Sequence, residues 1–302
     1  MEVQTSGDGW ARWGAGAPVT FEDVGAVAAH PSFPAAFQAM GASTVATADS
    51  GPEILHIAKD AGRYMTALAA IHLWMDDALT VPRLQAMCVD SGLLSAGRAR
   101  DFVNWLDRIG YVTCTRAGTG TMAGRYAVTP RFEEAWTAQF VGPLTAAAMI
   151  EPRVAPLLKS WGKPAVRRRF VQLQSESLLA AFAHGAHRGP MFEAFYQPVG
   201  GVQILAHLVA CSPTDRMPEA TPVAVPVARV AQRFALTPMQ VRRVLRRAEA
   251  VGMLDRAEGG WALSAVAVAG LRLSYAVQLV HLILPAARLL LGMDPGIGDG
   301  PV

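Results

Sequence analysis

Two stretches of this sequence decide the fold: SAGRARDFVNWLDRIGYV at residues 95–112 and TPMQVRRVLRRAEAVGML at residues 237–254. They align without a gap over their whole length. Each begins with a hydroxyl residue suited to cap a helix, Ser95 in the first and Thr237 in the second. The shared cap and the gapless alignment predict one helix that occurs twice, within an internal repeat.

Both stretches have the apolar period of an amphipathic helix and a glycine that ends it. Arg100 aligns with Arg242, and Gly110 aligns with Gly252. The apolar residues recur every three or four positions, so that they share one face of each helix. They are Phe102, Val103, Leu106 and Ile109 in the first stretch, and Val241, Val244, Leu245, Ala248 and Val251 in the second.

The segments around each stretch predict the same order of elements. Before the first stretch, a helix is expected over 62–77 and a short helix over 81–90, with Thr80 as its cap and Pro82 in its first turn. After it, residues 111–129 predict two strands joined by a glycine-rich turn. The second copy comprises helices at 201–211 and 226–234, the stretch itself, and a hairpin around Gly259-Gly260.

Helix, short helix, helix and hairpin in this order resemble a winged helix-turn-helix, with the glycines at the wing tip. The resemblance covers about 140 of the 302 residues. It implies a mainly α fold with small β-hairpin wings, in which two winged modules are joined by helices. It also implies sequence-selective binding to double-stranded DNA by the third helix of each module. MarR-like transcriptional regulators are similar, but they carry one such module per subunit.

Composition and charge divide the chain into five segments. With 52% apolar and 17% charged residues, the chain has ample material for buried cores. Residues 1–58 carry one basic against six acidic residues, whereas the segments with the two modules each have a net charge of +3, which modestly favours an anionic partner. The expected division is an N-terminal arm or extension (1–58), a first module (59–131), a helical connector (132–197), a second module (198–265), and a C-terminal helix and tail (266–302).

The candidate DNA-binding residues are mostly arginines on the polar side of the two repeated helices. Guanidinium groups donate to phosphates or to guanine O6 and N7. The second module provides Arg242, Arg243, Arg246 and Arg247, with Arg229 and Arg233 on its short helix; the first provides Arg98, Arg100 and Asn104, with Arg116 and Arg125 beside its wing. A solvated face is the alternative for each set.

The third helix of the first module is less basic than that of the second. Asp101 lies near the start of its third helix, where it would repel phosphate. It is also suited to accept a hydrogen bond from a cytosine amino group, and the helix is open to a protein contact instead.

The sequence argues against several other classes of function. Phosphate-binding, zinc-protease and nucleophile-elbow motifs are absent, so that no enzyme activity or cofactor is expected. Cys88, Cys114 and Cys211 are widely spaced, which disfavours a metal or disulfide site. The first residues resemble no secretory leader, and a cytoplasmic location is expected. Charged residues and Pro285 interrupt the apolar stretch 264–292, which predicts a buried or dimerising helix rather than a membrane span.

Several alternatives stay open at this point. Tandem winged modules also occur in chromosome-segregation scaffolds, which bind protein, and in plasmid-type replication initiators. A homodimer through the C-terminal helix and a small-molecule effector are further candidates. The aromatic residues available to line an effector pocket, although such residues are more often core, are Trp74, Trp136, Phe140, Trp161 and Phe195.

Overall fold

The computed structural model describes residues 7–48, 51–90, 92, 94–116, 124–183, 189–212, 217 and 221–292. The expectation of a mainly helical protein with small hairpins is confirmed. The helices are α1 Gly7–Gly14, α2 Phe21–Ala29, α3 Phe33–Thr47, α4 Pro52–Ile57, α5 Ala61–Met75, α6 Val81–Asp90, α7 Ala96–Arg108, α8 Pro130–Ala138, α9 Val141–Ile150, α10 Ala155–Lys159, α11 Pro164–Ala183, α12 Gly201–Ala210, α13 Val227–Arg233, α14 Pro238–Ala250 and α15 Ala265–Gly292. The strands are β1 Val112–Arg116, β2 Arg125–Val128, β3 Leu254–Ala257 and β4 Gly260–Leu263.

Two segments share the order helix, helix, helix and antiparallel hairpin. The first unit comprises α5, α6, α7, β1 and β2, and the second comprises α12, α13, α14, β3 and β4. In each unit, a residue that precedes the second helix pairs with the returning strand, Thr80 with Arg125 and Val223 with Trp261. The expected order of elements is therefore present twice.

The third helices of the two units end in the same way. Gly110 and Gly252 adopt left-handed φ angles of 74° and 71°, which favour glycine because it has no Cβ. The next amide reaches back into the last helical turn, from Tyr111 N to Leu106 O in the first unit and from Met253 N to Ala248 O in the second, both at 2.8 Å. In each unit, this hydrogen bond and the left-handed glycine turn the chain from the helix directly into its hairpin.

A hydroxyl residue at the end of each hairpin holds three elements together. Thr129 Oγ1 donates to the carbonyl oxygen of Gly110 at 2.8 Å, and Ser264 Oγ donates to that of Gly252 at 2.6 Å. The hydroxyl oxygens of Thr129 and Ser264 also accept hydrogen bonds from the Phe132 and Ala267 amides, in the first turns of α8 and α15. Each hydroxyl therefore closes the hairpin against the third helix and caps the helix that follows.

The N-terminal segment differs from the arm or lightly ordered extension expected for residues 1–58. Within it, α1 contributes the buried side chains of Trp10 and Trp13, and α3 contributes those of Phe33 and Phe37. Helix α3 packs against α9 on one side and α12 on another, so that its apolar residues are spread around the helix. A helix buried on several sides lacks the one-sided period by which sequence patterns are recognised.

The connector and α15 form a further part of the core. Helix α15 packs against α1, α2, α9 and α11, which buries the expected stripe of Leu271, Tyr275, Leu279, Leu282 and Leu289. The prediction of a long buried helix is confirmed. By length and composition this helix would be able to cross a membrane, but 56% of its most apolar window is buried inside the protein, and core helices pass the same test.

We expect Thr129→Ala and Ser264→Ala each to lower the free energy of unfolding by about 1 kcal/mol, because each removes a helix cap and a bond to the glycine carbonyl. Urea unfolding followed by circular dichroism measures the change. The control is Thr145→Ala, since the Thr145 hydroxyl bonds within its own helix to Val141 O. Equal stability of all three variants and the native chain would contradict this role.

We expect the folded protein to lose stability in mild acid because of the buried His281. Burial lowers its pKa from 6.5 to about 4, and Nδ1 lies 2.7 Å from Ser177 Oγ. Between these pH values the unfolded chain binds a proton that the folded protein does not, so that the folded state becomes less stable as the pH falls, by up to about 3 kcal/mol in total. His281→Gln should flatten the dependence of unfolding free energy on pH between 6.5 and 4, and parallel curves would show that the buried imidazole is not its source.

Candidate nucleic-acid interface

Helix α14 begins at a rigid, fully capped N-terminus. Thr237 Oγ1 accepts the Gln240 amide at 3.1 Å, while Gln240 Oε1 accepts the Thr237 amide at 2.8 Å. Pro238 occupies the first turn, where its missing N–H costs no hydrogen bond. Before the cap, Ala235 has a left-handed φ of 48°, which turns the chain sharply between α13 and α14. The first turn of α14 is therefore held in one conformation.

Four arginines lie on the solvent side of α14, as the sequence predicted. Arg242, Arg243, Arg246 and Arg247 are all exposed, and the opposite face is buried. Arg247 Nη2 donates to Gln197 Oε1 at 2.8 Å. Within the described part of the chain, the other three side chains make no hydrogen bond or ion pair. With Glu249 as its one acidic residue, α14 carries a net charge of +3.

Met239 lies in the middle of this basic face, and the sequence analysis did not select it. At 100° per residue it falls between Arg243 and Arg246, and its side chain is 67% exposed. A helical wheel that included the first turn would have found it. An exposed apolar side chain at this place is able to contact a thymine methyl group.

Helix α13 adds Arg229 and Arg233, both exposed. Arg233 also acts electrostatically on the thiol of Cys211 at the end of α12, where it opposes the rise in pKa caused by burial of that thiol. The two arginines of α13 extend the basic surface of α14 towards the preceding helix.

Helix α7 presents a mixed surface. Arg98, Arg100 and Asn104 are exposed as predicted, but so is Asp101, which stands where α14 has Arg243. Three arginines against two aspartates leave α7 a net charge of +1. Trp105, which stands where α14 has Arg247, is half-buried. This helix therefore presents less positive charge than α14.

The hairpin of the first unit offers less free charge than expected. Arg125 Nη1 lies 2.8 Å from Asp77 Oδ2, and this exposed pair ties β2 to the residues that follow α5. Exposed pairs of this kind contribute little stability, so that Arg125 retains the ability to exchange partners. The side chain of Arg116 and the wing tip at 117–123 lie outside the described residues.

Three consecutive arginines of α11, at 167–169, make hydrogen bonds within the protein. Arg168 makes two bonds to the carboxylate of Glu133, at 2.7 and 2.8 Å, and lies over the ring of Trp74. Arg167 donates to the carbonyl oxygen of Trp161 at 3.0 Å. These contacts place Arg167 and Arg168 on the outer side of a packed helix.

The proposed effector pocket is not formed by its aromatic residues. Trp136, Phe140 and Trp161 pack edge to face with ring centroids 6.4 Å apart in each successive pair. Trp74 and Trp136 border a cavity of about 10 Å³, which is too small for an organic effector. Phe195 is fully buried. In the described structure these residues form core.

The structure brings together one serine, histidine and aspartate. His72 Nδ1 lies 3.1 Å from Ser175 Oγ, and His72 Nε2 lies 3.8 Å from Asp76 Oδ2. Ser175 is fully buried, and its hydroxyl also donates to Gln172 O. No substrate can approach this oxygen in the described conformation, so the arrangement links α5 to α11 structurally. Among the described residues, no group of three or more histidine, cysteine or acidic side chains is placed to hold a metal ion.

Comparison of the chain with protein-family models, with curated proteins and with solved structures gives no match.

Proposed function

We propose that this chain is a DNA-binding protein of the tandem winged helix-turn-helix type, acting as a non-enzymatic, cytoplasmic transcriptional regulator. In this proposal α14 enters the major groove as the principal reading helix. The observation that carries it is the row of exposed arginines on a rigidly capped helix that follows a sharp turn. The repeated order of elements in the first unit supports the assignment of the fold.

The exposure of the arginines supports the choice of DNA over a protein partner in this proposal. A scaffold function would be favoured if the face of Arg242, Arg243, Arg246 and Arg247 were buried within the protein, and all four are exposed. Arg242, Arg243 and Arg246 donate no hydrogen bond to the described protein. Their N–H groups are therefore available to phosphates and to guanine edges. Met239 supplies an apolar contact among them. A charged helix with an apolar centre suits a surface that carries both phosphates and base edges.

The first unit has a secondary role in this proposal. Arg98, Arg100 and Asn104 are placed to contact DNA, while Asp101 limits affinity for phosphate and provides an acceptor for a cytosine amino group. A homodimer through α15 stays a prediction, and the stripe expected to mediate it is buried within the same chain. The exposed large apolar residues of the described α15 are Val266, Leu273 and Leu291.

Arg242→Ala and Arg246→Ala should each weaken binding to a selected duplex by roughly 1–3 kcal/mol where the side chain contacts a base. A phosphate contact would instead reduce the slope of log affinity against log salt by about 0.9. The duplex is obtained by repeated selection from a randomised pool with the native chain, and binding is then measured by fluorescence anisotropy at several salt concentrations.

The matched control for the double variant is Lys159→Ala combined with Arg169→Ala, which removes the same charge from exposed positions away from α14. Both doubles should unfold like the native chain, because exposed substitutions change stability by about 0.5 kcal/mol or less. The proposal is abandoned for a protein-binding scaffold if the native chain enriches no sequence, or if loss of both α14 arginines weakens binding no more than the control does.

Met239→Ala should reduce discrimination between the selected duplex and a copy in which thymines are replaced by uracils, which lack the methyl group. The salt slope should stay unchanged, since no charge is removed. Anisotropy titrations with both duplexes measure the ratio. If the variant discriminates as well as the native chain, Met239 contacts no thymine methyl.

A further inference from the structure

A short segment between α3 and α5 contacts one candidate reading helix, α7, and the turn that precedes the other, α14. It comprises residues 52–60, which are α4 and the three residues that follow it, and is called the bracket below. Ile54, Leu55 and Ile57 are buried, so that the bracket is part of the core rather than a surface linker. Neither its composition nor its period marked it in the sequence.

One side of the bracket is fixed to α7. The ring of His56 packs on that of Trp105 with centroids 4.5 Å apart, and burial lowers the pKa of His56 to about 4, so that a neutral imidazole makes the contact at neutral pH. Glu53 pairs with Arg131 at 2.9 Å, and Arg131 also donates to Ile109 O, at the C-terminal end of α7, at 2.8 Å. Both contacts lie towards the C-terminal end of this helix.

The other side of the bracket is fixed to the second unit at three points. Lys59 Nζ donates to Ala235 O at 2.8 Å, in the turn that immediately precedes α14. The Lys59 carbonyl accepts the Gly200 amide at 2.7 Å, and the Ala58 carbonyl accepts Gln203 Nε2 at 2.7 Å. Gln203 is 1% exposed, so that the last of these bonds is shielded from water.

Gly200 packs closely against the turn that precedes α14. A Cβ added at Gly200, whose φ is 84°, would collide with the side chain of Leu236, which directly precedes the cap of α14. Arg247 on α14 also bonds to Gln197 in the connector. The turn before α14 is therefore attached to the bracket, and the last turn of α14 is attached to the connector.

We propose that the bracket keeps α7 and α14 at one fixed separation, so that a single chain reads a bipartite DNA site whose two half-sites have one allowed spacing. This inference rests on the proposed function. Two modules on a flexible linker tolerate a range of spacings, because the linker adapts to each. Two modules in one rigid body do not, since five added base pairs rotate a half-site by about half a helical turn.

The first test measures the separation without DNA. Spin labels are attached at Asp107→Cys on α7 and Ala250→Cys on α14, two exposed positions outside the proposed reading set, after Cys114→Ser and Cys211→Ser remove the exposed native thiols. Pulsed dipolar spectroscopy should give one narrow distance. The double variant Glu53→Gln and Lys59→Met, which removes side-chain bonds on both sides of the bracket, should broaden it about twofold or more.

The matched control is Glu134→Gln with Lys159→Met, which removes one charge of each sign from exposed positions elsewhere. It should leave the distance unchanged. A broad distribution in the native chain, or equal widths in the bracket variant and the control, overturns the inference whether or not the protein binds DNA. Both doubles are first shown to unfold cooperatively, so that broadening cannot come from global unfolding.

The second test uses the duplex selected by the native chain, with five base pairs inserted between its half-sites. The native chain and the control should lose about 100-fold in affinity, because the second unit no longer reaches its half-site. The bracket variant should lose less than about tenfold. An insertion that costs the native chain nothing overturns the bipartite site, and failure to select any duplex overturns it together with the proposed function, whereas the distance measurement still decides the rigidity.

Discussion

Burial of α15 supports most of the structure. The helix lies between the N-terminal helices α1 and α2 and the connector helices α9 and α11. Each fully buried leucine contributes about 1.5–3 kcal/mol relative to an exposed one, so that this helix supplies a large share of the driving force for folding. Its start is held by Ser264, the residue that also closes the second hairpin. Ser264 is therefore one of the residues that join the core to the second unit.

This arrangement separates the structural charges from the free ones. Arg168 and Arg131 are paired with Glu133 and Glu53, where they tie helices together. Three of the arginines on α14 have no such partner in the described structure, and their removal is not expected to disturb packing. Because these arginines are exposed and make no bond within the described structure, they are open to an anionic ligand, and for this reason we propose DNA contact rather than a solvated face.

The local elements were predictable because short-range signals determine them. Ser95 and Thr237 cap their helices as expected, and Gly110 and Gly252 end them in a left-handed conformation that other residues rarely adopt. The hairpins follow from strand and turn residues only a few positions apart. The packing of the N-terminal segment into the core was not predicted, for the opposite reason: α3 is buried on several sides, so that its sequence shows no polar face.

By itself, the sequence determined the repeated order of elements, the caps and stops of the third helices, and which arginines face away from each apolar stripe, since all of these depend on residues within one or two helical turns. The tertiary structure alone decided which charged side chains form bonds within the described protein and which do not. Asp77 pairs with Arg125 from 48 positions away in the sequence, and Lys59 bonds to Ala235 from 176 positions away. Pairings at such separations follow from how the helices pack, and periodicity within a segment carries no information about them.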